Sequence, residues 1–250
     1  MATTLVLGDG PLGEAVAAAL RARGDGVEVL GRPVGDGHDR AVLAAADVIV
    51  DASRQDAVAA NVAAGLDAGC RAFVLATTGW QADSERIGAA LRRAGGVAVV
   101  APNLALGAAL FLRLVDEAAR LAASLGGFEP SVLEWHRRSK TDRPSGTARE
   151  IVRRLSAELP IGVDEIAVLR SGAMPGMHVV ALDGASETIE LRLTARDRSG
   201  YAAGALVAID WLRHNGRVAG LHSFDEVVDD LVRANGTGAP PPRERVAATA

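Results

Sequence analysis

Short apolar runs alternate with alanine-rich stretches through the first half of the chain. The runs predict buried strands, which lie at residues 4–7, 27–30, 46–51, 72–76 and 97–101. Apart from Glu28, Asp47 and Asp51, the runs are apolar almost throughout, as is typical of strands that carry helices on both faces of a sheet. A predicted helix over residues 13–23 follows the first strand, and this order of strand and helix indicates βαβ units on a parallel sheet.

A different pattern follows in the second half of the chain. We expect a long helix over residues 107–125, in which Leu110, Leu114 and Ala118 share one face because they are four positions apart. A new strand over residues 132–135 then begins a second sheet.

Strict alternation of apolar and polar residues distinguishes residues 188–194 from the earlier strands. Ile189, Leu191 and Leu193 would face one way and the polar residues the other way, which predicts a half-solvated, antiparallel strand. A helical stretch over residues 202–213 follows, and we expect it to pack back on the first domain.

Together these patterns predict an α/β protein with two domains. The first is a Rossmann-like, doubly wound parallel sheet over residues 1–107, completed by about residues 202–235. The second, over residues 108–201, is an α+β domain with a mixed or antiparallel sheet. Residues 236–250 are rich in proline and glycine and lack a core pattern, which predicts a flexible tail.

Composition excludes several classes of protein. Apolar residues make up 49% of the chain, too many for a disordered protein, and the net charge of −4 comes without a basic stripe for nucleic acid. Cys70 is the single cysteine, so one chain cannot form a disulfide or a thiolate metal site, and we expect a small buried side chain there. We predict no bound metal. No run approaches the roughly 20 apolar residues of a membrane span, and no signal peptide fits the start, so we expect a cytoplasmic protein.

A glycine-rich turn follows the first predicted strand. It fits the pattern G-x-G-x-x-G and consists of Gly8, Asp9, Gly10, Pro11, Leu12 and Gly13. Such a turn between a strand and a helix lets a pyrophosphate approach the backbone and the N–H groups of the helix start, so the motif predicts a dinucleotide site. The alternative is an ordinary tight turn.

The end of the second strand bears on the choice of coenzyme. An acid there would bind the ribose 2′-hydroxyl group and favour NAD, whereas Leu30 is followed by Gly31 and Arg32. Arg32 can bind a 2′-phosphate, which favours NADPH, with NADH as a second possibility. The alternative is an exposed loop arginine.

A polar loop over residues 134–148 carries the candidate chemistry. His136 and Lys140 are proton donors that can act on a substrate carbanion or imine nitrogen, and Arg137 can pair with a carboxylate. Ser145 is a good N-cap for a helix, and the unpaired N–H groups of the next residues form a site for a second carboxylate. The alternative is a solvated loop with an ordinary helix cap.

The same loop resembles the motif E-x-H-H-x-x-K-x-D-A-P-S-G-T-A of the 4-hydroxy-tetrahydrodipicolinate reductase (dihydrodipicolinate reductase) family. The matching residues are Glu134, His136, Lys140, Asp142, Pro144, Ser145, Gly146, Thr147 and Ala148. Further segments resemble the family in the same order, namely residues 48–53, 76–80, 101–107, 170–172, 176–178 and 198–205. The resemblance covers about residues 5–212.

The resemblance implies an NAD(P)H-dependent reductase of a cyclic, unsaturated imine dicarboxylate in lysine and diaminopimelate synthesis. It implies that residues 8–13 bind the pyrophosphate and that a second group lines the nicotinamide, namely Ala76, Thr77, Thr78, Ala101, Pro102, Asn103 and Leu104. His136 and Lys140 would be the catalytic proton donors, and Gly146 with Thr147 would bind a substrate carboxylate. It also implies a homo-oligomer, a tetramer or a dimer, joined through the sheet of the second domain.

Several positions depart from the family pattern, and three of them cluster in the substrate loop. Arg137 replaces the second histidine of the motif, and Ser139 and Arg143 replace other loop residues. A divergent relative that reduces a different imine is therefore an alternative, as are an aspartate-type amino-acid dehydrogenase and, outside the enzymes, an NADP-binding redox sensor.

Overall fold

Six parallel strands form the larger of two sheets in the computed structural model, which describes residues 3–31, 37–101, 103–197, 199–214 and 216–235. The strands are β1 (Thr3–Leu7), β2 (Gly26–Leu30), β3 (Val48–Asp51), β4 (Ala72–Leu75), β5 (Val97–Val100) and β10 (Gly220–Ser223). Their order across the sheet is β10-β5-β4-β3-β1-β2, and every neighbouring pair is parallel. This confirms the predicted doubly wound sheet. The chain order reverses between β1 and β3, where such sheets bind ligands.

Helices cover both faces of this sheet. They are α1 (Pro11–Arg23), α2 (Gly37–Ala45), α3 (Val58–Ala68), α4 (Ser84–Ala94), α7 (Ser199–Arg213) and α8 (Phe224–Asn235). Adjacent residues of β1 enter different cores: Val6 packs with α1, α7 and α8, whereas Leu5 packs with α2, α3 and α4. Both side chains are fully buried, which explains the continuous apolar runs. Cys70 is buried in the core that contains Leu5, as predicted.

Four strands form the smaller sheet. They are β6 (Glu129–His136), β7 (Ala167–Arg170), β8 (Met177–Asp183) and β9 (Thr188–Thr194), in the order β7-β6-β8-β9. The pair β6–β7 is parallel and the other two pairs are antiparallel, so the predicted mixed sheet and the antiparallel strand over residues 188–194 are confirmed. Two helices, α5 (Leu106–Leu125) and α6 (Gly146–Leu155), pack against one face of it.

The exposed face of α5 differs from what its leucine spacing suggests. Leu110 and Leu114 do share a face, but they are 59% and 48% exposed. The buried residues lie on the neighbouring face and are Ala108, Ala109, Phe111, Leu112, Val115, Ala119 and Ala122. Because α5 carries apolar residues on more than one side, spacing alone does not identify the side that packs.

Element boundaries and short strands depart most from the sequence predictions. Strand β6 begins at Glu129 rather than at residue 132, and β7, β8 and β10 were not predicted from the pattern. Within β9, Leu191 and Leu193 are half-buried under α5, whereas Ile189 is 49% exposed. The predicted tail over residues 236–250 lies outside the described residues.

Candidate active site

The glycine turn joins β1 to α1 at the switch point of the large sheet. Gly8 has a φ of +111°, and a Cβ atom on it would lie 2.4 Å from the carbonyl oxygen of Ala52. A Cβ atom on Gly13 would lie 2.0 Å from the carbonyl oxygen of Gly8. Both positions therefore require glycine. Nothing lies within 4 Å of the corresponding position on Gly10, so the turn leaves open space beside the start of α1.

A cleft of about 510 Å³ opens in front of this turn. Its lining residues come from the turn and from the loops after β3 and β4, and they are Leu12, Ala52, Ser53, Arg54, Gln55, Asp56, Ala76, Thr77 and Thr78. The structure thus brings part of the predicted pyrophosphate turn together with the predicted nicotinamide residues. Residues 52–56, which the sequence did not assign to the cofactor, complete the lining.

Buried Asp51, the last residue of β3, connects the two loops that line the cleft. Its carboxylate accepts hydrogen bonds from the Ser53 hydroxyl group (2.7 Å), the Thr77 hydroxyl group (2.8 Å) and the Asn61 side-chain amide (2.8 Å). Asp51 is 1% exposed. Because the Asp51 carboxylate binds both the loop after β3 and the loop after β4, it fixes the position of the two cleft walls relative to each other.

The segment after β5 connects the cleft to the smaller sheet. Leu104 is buried, and the Asn103 side chain accepts a hydrogen bond from the N–H group of Ala105. The Asn103 amide also donates to the hydroxyl group of Thr147 at 3.4 Å. This bond links a predicted cofactor residue with a predicted substrate residue. Pro102 and Arg32, also predicted to bind the cofactor, lie outside the described residues.

His136 stands at the end of β6 and is 7% exposed. Its ring lies under the loop between β7 and β8, because a Cβ atom on Gly176 would come within 2.9 Å of its Cε1. The N–H group of Ser171 donates to the His136 carbonyl oxygen at 3.1 Å, which ties the same loop to the strand end. The histidine is therefore held rigidly by its surroundings.

Glu134, two residues earlier on the same strand, organises the polar interior beneath the loop. Its Oε1 accepts hydrogen bonds from the Arg170 guanidinium (2.7 Å) and from the N–H group of Ser145 (3.0 Å). Its Oε2 lies 3.3 Å from Nε2 of His136 and 3.7 Å from Nε2 of His178. The side chains of Glu134 and Arg170 are fully buried, so the carboxylate joins the strand, the loop and the first turn of α6.

Ser145 is the N-cap of α6, as predicted. Its hydroxyl oxygen accepts a hydrogen bond from the N–H group of Ala148 at 3.2 Å and lies 3.3 Å from Nε2 of His178. The next two residues, Gly146 and Thr147, form the first turn, whose N–H groups have no intrahelical acceptor. The predicted carboxylate-binding turn thus lies beside the Glu134 cluster.

Burial controls protonation in this cluster. Burial lowers the pKa of His178 to about 4 and also lowers the pKa of His136, although the Glu134 carboxylate acts in the opposite direction on both. For Glu134 itself, burial favours the neutral acid, but hydrogen bonds from Ser145 and Arg170 outweigh it and lower the pKa. Near pH 7 the cluster therefore contains one ion pair and two neutral histidines.

Three donors in this cluster have the spacing of a metal site. The ligand atoms of Glu134, His136 and His178 lie within 4.8 Å of one another. However, the Arg170 guanidinium already neutralises the carboxylate, and a divalent cation would add two positive charges to a buried site. The charge balance favours the ion pair over a metal.

Lys140 lies in the loop between β6 and α6. Its ammonium group is 2.8 Å from Asp142, and its side chain is 28% exposed. Its positive charge acts on the pKa of His136 and His178 in the same direction as burial, because it disfavours the imidazolium form. Arg137 is exposed in the same loop and donates to the Ser139 hydroxyl group at 3.2 Å.

Sequence reasoning missed two features of this site. Arg170 and His178 lie in two of the segments that resemble the family, but the sequence assigned neither a role, and both contact Glu134. A signal that it also missed lies in the composition: Lys140 is the single lysine of the chain, and the other 26 of the 27 basic residues are arginine. A chain that uses arginine everywhere else keeps an ammonium group at this one position.

Comparison with known proteins identifies the family of this chain. A family model described as the dihydrodipicolinate reductase N-terminus matches residues 12–104, and one described as its C-terminus matches residues 107–228. Among the described residues no helix is long and apolar enough to cross a membrane.

Two similar proteins are named 4-hydroxy-tetrahydrodipicolinate reductase. The protein from Gluconobacter oxydans is 36% identical over 199 residues, which cover 73% of this chain and 77% of that protein. The protein from Methanospirillum hungatei is 33% identical over 198 residues, covering 73% and 76%. A solved dipicolinate-bound dihydrodipicolinate reductase from Paenisporosarcina sp. TG-14 has the same fold, with a TM-score of 0.71 at 18% identity over 89% of this chain and 97% of that one. The chain therefore belongs to the dihydrodipicolinate reductase family.

Proposed function

We propose that this chain is an NAD(P)H-dependent reductase of a cyclic, unsaturated imine that carries two carboxylates, the reaction for which its relatives are named. The observation that carries the proposal is the position of the single lysine. Lys140 lies in a loop that has a buried histidine at one end and a carboxylate-binding helix turn at the other. Such a site supplies a proton to an anionic substrate.

The large sheet supplies the coenzyme site in this proposal. The turn over residues 8–13 binds the pyrophosphate, since its glycines leave open space at the start of α1. Ala76, Thr77 and Thr78, with residues 101–104, line the nicotinamide. The bound dihydronicotinamide supplies the hydride.

The smaller sheet supplies substrate binding and the proton. The first turn of α6, at Gly146 and Thr147, binds one carboxylate, and Arg137 binds the other. The Lys140 ammonium group donates a proton to the reduced substrate. His136 is neutral in the free chain because burial lowers its pKa, and it becomes a second donor when an anionic substrate beside it favours the imidazolium.

The coenzyme preference and the assembly are finer parts of the same proposal. We assign the 2′-phosphate of NADPH to Arg32, on the sequence argument alone.

One face of the smaller sheet is uncovered and apolar, which supports a homo-oligomer. Leu133 and Leu169 point out from this face and are 37% and 44% exposed. This exposure fits a domain over residues 108–201 that both binds the substrate and joins the subunits. The cytoplasmic location of the protein stays a prediction.

A divergent relative that reduces another imine is the main competing function. Arg137 favours it, because a guanidinium is larger than the imidazole of the family motif and its charge is fixed. An amino-acid dehydrogenase would not need the helix turn that follows Pro144, and a redox sensor would not need Lys140. Family membership favours the reductase over both.

The test mixes the purified chain with NADPH and 4-hydroxy-tetrahydrodipicolinate and follows loss of the reduced nicotinamide. Rapid oxidation supports the proposal. Coenzyme binding without turnover on this substrate would shift the assignment to the divergent relative or to the redox sensor. Oxidation of an amino acid with NAD(P)+ would shift it to the dehydrogenase. A chain that binds neither NADPH nor NADH would contradict the proposal as a whole.

A further inference from the structure

The end of β2 lacks the side chain that usually meets the adenosine ribose. In Rossmann-type sheets an acid at this position accepts hydrogen bonds from the ribose hydroxyl groups. Here β2 ends at Leu30 and Gly31 follows, so the end of the strand offers no carboxylate.

The carboxylate of Asp9 occupies this place instead. A Cβ atom on Gly31 would lie 2.3 Å from Oδ2 of Asp9 and 2.9 Å from its Cβ, so the aspartate fills the space of a side chain at position 31. The N–H group of Gly8 also donates to the carbonyl oxygen of Leu30 at 2.8 Å, which fixes the glycine turn against the strand end. Aspartate at position 9 and glycine at position 31 are thus complementary.

We propose that Asp9 supplies the ribose-binding carboxylate and thereby determines how well the chain accepts NADH. This inference rests on the proposed function, because it requires a dinucleotide in the cleft. The carboxylate accepts charge-assisted hydrogen bonds from the 2′- and 3′-hydroxyl groups of NADH. Beside the 2′-phosphate of NADPH the same negative charge is repulsive. Asp9 therefore favours NADH and opposes the attraction that we assign to Arg32.

Exposure supports a ligand-facing role for Asp9 over a purely structural one. The side chain is exposed, and the neighbouring position on Gly10 faces open space. A ribose can therefore approach the carboxylate from the same side as the pyrophosphate approaches the turn. Asp9 has no positive φ, so alanine fits its backbone conformation.

The experiment measures the dissociation constants of NADH and NADPH for the full chain and for the variant Asp9→Ala, from the fluorescence of the reduced nicotinamide. We expect NADH to bind about 10-fold more weakly in the variant, as for the loss of a hydrogen bond to a charged group, while NADPH binds as tightly as before or more tightly. The matched control is Glu14→Ala. Glu14 is an exposed acid in the first turn of α1, and its removal changes net charge equally.

An exchange variant tests the position of the carboxylate directly. In Asp9→Gly with Gly31→Asp, the acid moves from the turn to the strand end and no side chain at position 9 obstructs it. We expect this double variant to bind NADH more tightly than Asp9→Gly alone. Gly31→Asp alone brings two carboxylates into contact and should weaken both coenzymes.

Three results separate the possibilities. The role of Asp9 is supported if Asp9→Ala weakens the binding of NADH relative to that of NADPH, while Glu14→Ala leaves the ratio of the two dissociation constants unchanged. Equal weakening of both coenzymes in Asp9→Ala, or no change in either, would overturn that role and leave the reductase proposal standing. A wild-type chain that binds neither coenzyme would overturn both.

Discussion

Lys140 is the residue whose chemical identity matters most in the proposed mechanism. Arginine would keep the positive charge and the pairing with Asp142, but a guanidinium does not release its proton in the working pH range. We therefore expect Lys140→Arg to lower turnover by about 100-fold or more, the usual size of a lost general acid, while NADPH binding is unchanged. The measurement is kcat together with the coenzyme dissociation constant.

A neighbouring basic residue provides the control for this change. Arg138 is exposed in the same loop, and only its backbone is bonded, to the Gly172 carbonyl oxygen, among the contacts that the structure describes. Arg138→Lys should retain wild-type turnover. Wild-type turnover in Lys140→Arg would show that charge alone suffices and that the proton comes from elsewhere.

His178 gives the chain a specific sensitivity to acid. Its pKa is about 4 in the fold and 6.5 in the unfolded chain, so between these values the unfolded state binds a proton that the folded state does not. The free energy of unfolding must then fall as pH is lowered from 6.5 to 4, by about 3 kcal/mol for this residue. Above pH 6.5 the contribution is fully present. Urea unfolding at a series of pH values measures it.

The variant His178→Asn isolates this contribution. Asparagine does not titrate, so the decline of stability between pH 6.5 and 4 should become shallower, and what remains should include the part due to His136, whose pKa is also lowered by burial. An unchanged slope in the variant would mean that other groups cause the acid sensitivity.

Site residues that lie close together in the sequence were predicted from it. Contacts between site residues that are distant in the sequence were not predicted. His136, Lys140 and Ser145 belong to one contiguous motif, and the strand end and helix cap were predicted from it. Arg170 is 36 positions away from Glu134, and no local pattern connects them. Their contact depends on β6 and β7 being neighbours in a sheet, which residue periodicity does not specify.

At the scale of elements, the approach of α7 to the segment after β5 shapes the coenzyme site. A Cβ atom on Gly204 would lie 1.7 Å from the carbonyl oxygen of Leu104, a backbone atom that cannot rotate away. Gly204→Ala must therefore move one element, and we expect a loss of about 3 kcal/mol in the free energy of unfolding. Because the shifted segment lines the proposed nicotinamide site, NADPH binding should weaken as well. Urea unfolding and coenzyme titration measure both effects.

The same helix carries its own control. Gly200 has nothing within 4 Å of the position that a Cβ atom would occupy. Gly200→Ala should leave NADPH binding unchanged and raise stability by up to about 1 kcal/mol, because alanine is the better helix former. If both variants behaved alike, close packing at Gly204 would not be the cause.

Elements with one strong apolar pattern were predicted well, whereas the side on which the long helix α5 packs was not. Four strands of the large sheet, β1, β3, β4 and β5, were recognisable because their residues are mostly buried on both faces. Strand β9 was recognisable because its apolar and polar residues alternate. On α5 the leucines at positions 110 and 114 proved exposed, since alanines and larger residues on the adjacent face provide the packing surface. Which apolar face a helix buries depends on the partner, and the partner is not encoded within the helix.

At the scale of the whole molecule, the uncovered face of the smaller sheet is the surface on which assembly is expected. Leu169 points out from this face, and its replacement by glutamate would place a charge in the proposed interface between subunits. We expect Leu169→Glu to reduce the molar mass in solution, as measured by light scattering after gel filtration. The control, Leu125→Glu, changes a leucine of α5 that is 77% exposed and should leave the mass unchanged. An unchanged mass in Leu169→Glu would place the subunit contact on another surface.

Because Lys140 is the single lysine of the sequence, cleavage of the loop between β6 and α6 can report whether a ligand is bound there. A protease that cleaves only after lysine has one peptide bond to attack in this sequence, between Lys140 and Thr141, and would yield fragments of residues 1–140 and 141–250. A dicarboxylate ligand bound at the loop and the adjacent helix turn should slow that single cut. The time course of two bands on a gel would then read out ligand binding without labelling, mutation or an assay of turnover.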